Sequence, residues 1–230
     1  MADSLYLAMT AAEMYNHSKP DHKVAYMACH FSPYGTGLSN FPEALPPEAI
    51  LIVNDRTPIC GHDPQKICEQ LSQVTTDFHC SSVLLDFQRP GEKQTANLCS
   101  YLVQNLSCTI GVSHFYAEGS SCPVFVPPLP LGCILSDHLS PWNGREIWLD
   151  MAVESECFVV TPQGCSRNSC PPPQGDTMVS REHYCHYQFQ TYPDRAEFIL
   201  HRSREMLLPL MEEAATLGVT QCIGLYQQLK

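Results

Sequence analysis

Residues 81–91 read SSVLLDFQRPG, an apolar run that ends in a polar cluster and breaks at Pro90 and Gly91. On a strand, side chains alternate faces, so Val83, Leu85 and Phe87 share one side and Leu84, Asp86 and Gln88 the other. An Asp and a Gln on one face, at the end of an otherwise apolar strand, require a reason beyond packing.

Working outward, the same unit repeats. Upstream, AILIVN (49–54) reads as a buried strand with Asp55, Arg56 and Thr57 at its exit. Asp63 then caps a helix with Pro64 at its first position, and Ile67, Leu71 and Val74 fall at helical spacing. Before it, KVAYMACH (23–30) reads as the first core strand, and it runs into a long loop, 31–47, that carries Phe31, Tyr34 and Phe41. Aromatics embedded in so long a loop favour an ordered one over a pocket. Residues 1–22 read as a lead-in segment, in which an apolar run at 5–9 precedes a capping box, Thr10 to Glu13, and a brief helix stopped by Lys19 and Pro20.

Downstream, 92–106 is a helix striped by Leu98, Leu102 and Leu106, and CTIGVS (108–113) a strand that exits at His114, Phe115 and Tyr116. Strands follow at 122–126 and at REIWLDMAV (145–153), the latter with Asp150 near its end, and a short helix covers 135–139. Strands alternating with helices imply a parallel sheet wrapped by helices. Without a G-x-G-x-x-G turn, the expectation is an α/β fold, a (β/α) TIM-type barrel with room for irregular or incomplete strands, rather than a dinucleotide-binding sheet.

The pattern changes late in the chain. A strand at 157–161 follows its predecessor too closely for a crossover helix, so antiparallel pairing is expected. Residues 163–181, with three consecutive prolines, read as a loop or a partly disordered segment, and 183–190 and 195–201 form a hairpin around 191–194. Residues 154–202 are therefore an antiparallel insertion within a single domain spanning 1–230. Ser203 caps a last helix that Pro209 delays or kinks and Gly218 ends, and 221–227 closes the fold with Tyr226 at its exit.

Composition narrows the partners. The net charge of −11 argues against nucleic acid and anionic membranes. No apolar run approaches the ~20 residues that span a bilayer. The N-terminus lacks a basic n-region, so a cytoplasmic protein is expected. In that setting the 13 scattered cysteines, none at C-x-x-C spacing, read as buried hydrophobes or free thiols. His183 and His186, near Cys185, are three apart on a strand and point to opposite faces, so no metal and no other cofactor is expected. Trp148 and Phe158 read as core.

The strand ending in Asp86, the helix after it and the strand TIGVSHFYA resemble the middle of family-18 glycoside hydrolases, the chitinase-like barrels. Their fourth-strand motif, D-x-x-D-x-D-x-E, laid with its last position on Gln88, puts the acids at Ser81, Leu84, Asp86 and Gln88, of which Asp86 alone matches. The late insertion is similar to that family's inserted region, and Tyr226 sits where the last strand offers an aromatic. The resemblance implies a carbohydrate or other small-molecule ligand at the C-terminal strand ends, with Asp86 as the central carboxylate. In the family the final Glu donates the proton; an amide cannot, so Gln88 is no general acid. Asp150 and Asp55, each at a strand exit, are the replacements, with Asp150 paired to Asp86 as the catalytic acids.

Ligand contacts are expected from Gln88, Arg89, His30, Tyr34, Asp55, Arg56, His114, Tyr116 and Tyr226. The plainer alternatives are an Asp86–Arg89 ion pair, a local turn at Asp55 and Arg56, and packing for Tyr34, Phe41 and Tyr116. Two further functions stay open at this point: a non-catalytic binding barrel, and a barrel enzyme of another chemistry using His and Asp on a small metabolite.

Overall fold

A computed structural model describes residues 5–16, 22–59 and 61–230. The strands are β1 (Leu5–Met9), β2 (Lys23–Phe31), β3 (Leu38–Ser39), β4 (Ile50–Asn54), β5 (Ser82–Asp86), β6 (Thr109–Ser113), β7 (Val124–Val126) and β8 (Ile147–Met151). An insertion contributes β9 (Glu154–Thr161), β10 (Gly164–Ser169), β11 (Met178–Ser180), β12 (Cys185–Thr191) and β13 (Ala196–Arg202), and β14 (Val219–Leu225) ends the series. Eight of these pair in parallel, in the order β1, β2, β4, β5, β6, β7, β8, β14, and β14 pairs with β1 to close the ring. The result is a closed (β/α) barrel. The strand β5, which carries Asp86, is fourth in the ring.

Closure depends on a segment that the sequence reading assigned to a lead-in. Residues 5–9 are the first barrel strand, paired on both sides, with Tyr6 opposite Ile223 and Lys23. Five residues with no preceding turn signal gave no period to read. The capping box after it forms: the Thr10 N–H donates to Glu13 Oε2 at 2.7 Å, and the Glu13 N–H to Thr10 Oγ1 at 3.3 Å. It opens α1 (Ala11–Asn16). The expected stop at residues 19 and 20 lies outside the described residues. In α2 (Pro64–Asp77), Asp63 Oδ1 accepts from the Gln65 and Lys66 N–H groups, as an N-cap should.

Alternation along β5 sorts the core into two layers. Val83, Leu85 and Phe87 face outward and pack with Ile67 and Leu71 of α2 and with Leu98 and Leu102 of α3 (Lys93–Asn105). Leu84 faces inward, among Ile50, Ile52, Phe125, Ile223 and the fully buried Trp148. Gly111 of β6 makes room for that indole, because a Cβ there would lie 2.4 Å from the ring. Across the barrel, Leu149 and Met151 pack with Leu207, Leu210 and Ala214 of α5 (Arg204–Thr216).

The insertion is a five-stranded antiparallel sheet, ordered β10, β9, β13, β12, β11. It corrects two expectations. Residues 163–181 are not only loop: they hold both edge strands, and the six residues of β10 are exposed, so no buried face imposed a pattern. Phe158 is only half-buried, opposite Phe198 and beneath the Arg167 guanidinium. Pro209 lies inside α5, which starts directly after Ser203. The closing strand ends at Leu225, and the next residues form α6 (Tyr226–Leu229). The short helix expected at 135–139 is present as α4 (Leu135–Leu139). The described cysteines are all free thiols.

Candidate functional site

A cavity of about 750 Å³ opens at the C-terminal ends of the barrel strands. Its floor includes Ile52, Leu84, Phe125 and Ile223, the upper part of the inner core layer. Polar groups reach it from several strand ends: His30 from β2, Asn54 from β4, Asp86 from β5 and Asp150 from β8. Each is at or near the last residue of its strand, where the apolar interior gives way to loops.

Asp86 and Asp150 both line this space. Burial pushes the Asp86 carboxyl above the ordinary carboxylate range; the Gln88 amide opposes that by donating to Asp86 Oδ1, and the Asp55 charge adds to it. Asp150 is pushed up to about 7, first by burial and then by the Asp86 charge, against the Met151 backbone N–H, with Glu154 adding a smaller upward push. The Asp86 charge thus adds to the burial that keeps Asp150 protonated toward neutral pH.

Asp55 has a different task. It is buried, and its Oδ2 accepts from the N–H groups of Gln88 (3.1 Å) and Arg89 (3.0 Å). It therefore latches the loop that presents Gln88, while still lining the cavity. Arg56 lines the rim and is exposed; its N–H donates to Asn54 Oδ1 at 3.2 Å. His30 Nδ1 lies 3.1 Å from the Ala28 carbonyl. The Asn40 side-chain amide lies 3.4 Å from the same nitrogen.

Not every expected contact converges. Arg89 does not line the cavity: its guanidinium donates to the Arg56 carbonyl at 3.3 Å, and no Asp86–Arg89 pair forms among the described residues. Tyr34 is 99% exposed and lies outside the cavity lining. His114 sits in the turn after β6, its ring tilted against Phe115 with centroids 3.9 Å apart and its pKa lowered by burial and then by His138; it does not line the cavity. Tyr116 packs edge-on to Phe87, and its hydroxyl donates to the Arg89 carbonyl. Tyr226 begins α6, stacks on His22 and does not line the cavity. In each case a loop or turn sets the side-chain direction, and residue spacing does not encode it.

Residues the sequence reading passed over are Thr10, Asn40, Asn54 and Gln228, all of which line the cavity. Asn54 was visible as the polar last residue of AILIVN. Its amide donates at 3.0 Å to both the Met27 and Cys29 carbonyls, where β2 bulges between Tyr26 and Cys29. It fills the gap that the bulge leaves in the ladder. Gln228 Oε1 accepts from the Val153 N–H, tying α6 to the end of β8. In the insertion, His183 meets the Ser180 hydroxyl and His186 the Thr177 hydroxyl.

No family model matches the sequence, and no curated protein matches it. Solved structures do match it in shape. An N-acetylglucosaminidase of glycoside hydrolase family 18 from Paenibacillus barengoltzii superposes with a TM-score of 0.62 at 10% identity, covering 98% of this chain and 97% of that one. The C-terminal domain of a chitinase-type protein from Desulfitobacterium hafniense DCB-2 gives 0.61 at 8% identity, over 98% and 94%. The spore cortex-lytic enzyme SleL of Bacillus megaterium QM B1551 gives 0.60 at 8% identity, over 96% and 70%. The fold is that of the chitinase-like barrels. At such identities the likeness is one of fold, so chemistry has to be argued from the cavity itself.

Proposed function

We propose that the chain is a glycosidase-like barrel that takes a carbohydrate in the cavity at its C-terminal strand ends, with Asp86 and Asp150 as its acid–base pair. One observation carries this reading: two carboxylates on different strands line one cavity, and one of them holds its proton up to about pH 7. An acid of that pKa protonates a leaving oxygen near neutral pH. Gln88 transfers no proton; its amide orients Asp86. The solved relatives include a family-18 chitinase from Cycas revoluta in complex with (GlcNAc)4, which supports an oligosaccharide as the ligand class.

The test restores the acid. Gln88→Glu is expected to create or raise hydrolysis of a chromogenic glycoside, because position 88 then offers a proton beside Asp86. No gain from a natively folded variant would count heavily against the motif alignment. Any activity of the unmodified protein is expected to fall as pH rises through about 7, where Asp150 loses its proton, and to be abolished by Asp150→Asn.

The bond from Gln88 to Asp86 favours a second reading, a barrel that binds sugar without cleaving it. In that case sugars raise the melting temperature, Asp86→Ala removes the rise, and Gln88→Glu brings no turnover.

A further inference from the structure

The polar groups of the cavity are unbalanced in a way that bears on its ligand. Gln88 takes one Asp86 oxygen, and among the described residues no other side chain hydrogen-bonds to Asp86. No ion pair among the described residues involves Asp86 or Asp150. Asp55 adds a third carboxylate, although its Oδ2 is committed to two backbone N–H groups. His30 is held at Nδ1 by the Ala28 carbonyl and the Asn40 amide. Arg56 is the one cation among the lining residues, and it lies exposed at the rim.

We propose that this cavity selects a ligand bearing a protonated primary amine, and that the ligand is a hexosamine unit whose amino group is free rather than acetylated. The proposal rests on the second reading above, a barrel that binds sugar without cleaving it, and names the ligand class of that site. An ammonium brings one positive charge and three donors to a space that offers carboxylates. A neutral sugar brings no charge to offset the two desolvated carboxyls that line the cavity. An acetamido group removes the charge, keeps a single N–H donor and turns a carbonyl acceptor toward acceptors. Charge-assisted hydrogen bonds are the strong ones, so the difference favours the amine.

Proton linkage follows from the same arrangement. Asp150 binds the ammonium as its anion, so binding displaces the Asp150 proton to solvent. Affinity then rises as pH passes upward through about 7, and falls again when the amine loses its own proton. The titratable and charged groups around the pair are Asp55 and Arg56 from the β4 exit, His30 from β2 and Glu154 from the start of β9.

Calorimetry on the full chain with a glucosamine tetramer and an N-acetylglucosamine tetramer, at pH 5.5 and 7.5, tests this. The free amine is expected to bind at least about tenfold tighter at pH 7.5, a gap of roughly 1.4 kcal/mol. That preference is expected to shrink at pH 5.5 and to vanish in Asp150→Asn, with Asp86→Asn as the second variant if the first folds poorly. Tighter or equal binding of the acetylated tetramer overturns the amine inference and leaves the carbohydrate reading standing. Binding of neither tetramer overturns both. Tight glucosamine binding that both Asn variants preserve places the amine on the acidic surface and overturns the inference.

Discussion

Asp150 sits at the end of an apolar strand with a second carboxylate across the cavity, and its proton is the consequence. Its native pKa of about 7 lies above its ordinary value of 3.8. Between those values the native state binds more protons than the unfolded chain, so this group's contribution to stability declines as pH rises from about 4 through 7. An amide at 150 removes the decline. Asp150→Asn is therefore expected to melt with the unmodified protein at pH 4 and a few degrees above it at pH 8, since ~1 kcal/mol moves a chain of this size by about 2–4 °C. Calorimetric melts across that range check it, and an offset independent of pH would sink the assignment. The cavity-lining positions of Asp86, Asp150 and His30 were legible because each lies at or next to the end of a strand, and Asp55 directly follows one. Asp55's latch on the Gln88 loop was not, since it depends on backbone N–H groups that a sequence does not display. Tyr34, His114 and Tyr226 were misplaced because they follow the strand ends, where turn geometry decides orientation.

At the scale of elements, strand β6 shows how one small residue sets the interior. Gly111 faces Trp148 across the barrel, and any Cβ would enter the ring plane's space at 2.4 Å. Gly111→Ala is expected to lower stability by about 1–3 kcal/mol through overpacking, read as a lower urea midpoint with an unchanged slope. A variant as stable as the parent would mean that the indole has another place to go. Strands buried on both faces were easy to find, as AILIVN and SSVLLDF show, because parallel barrel strands read as continuous apolar runs. β1 was overlooked for want of a turn before it. β10 was overlooked because its side chains are exposed, and Gly164, Ser166, Arg167, Asn168 and Ser169 carry no core pattern.

Over the whole molecule, the barrel and the insertion differ in how they end. The ring closes on itself, so its eight parallel strands leave no edge, whereas the inserted sheet terminates in β10 and β11. Edge strands open most readily. Amide hydrogen exchange is expected to be fastest in β10 and β11 and slowest in β4 and β5, and protection of β10 equal to β5 would contradict this ordering. The alternation of strands and helices made the barrel readable, and the break in that alternation marked the insertion near 154–202; closure itself rested on five residues at the start. The inner layer has one more consequence. Of the chain's two tryptophans, Trp148 lies fully buried among Leu84, Ile52 and Ile223, which also floor the cavity, while Trp142 packs at the far side against Arg145. The chain thus carries its own optical gauge: an occupant that replaces water above that floor changes the polarity felt by one indole, and its emission reports the filling of the cavity without any label.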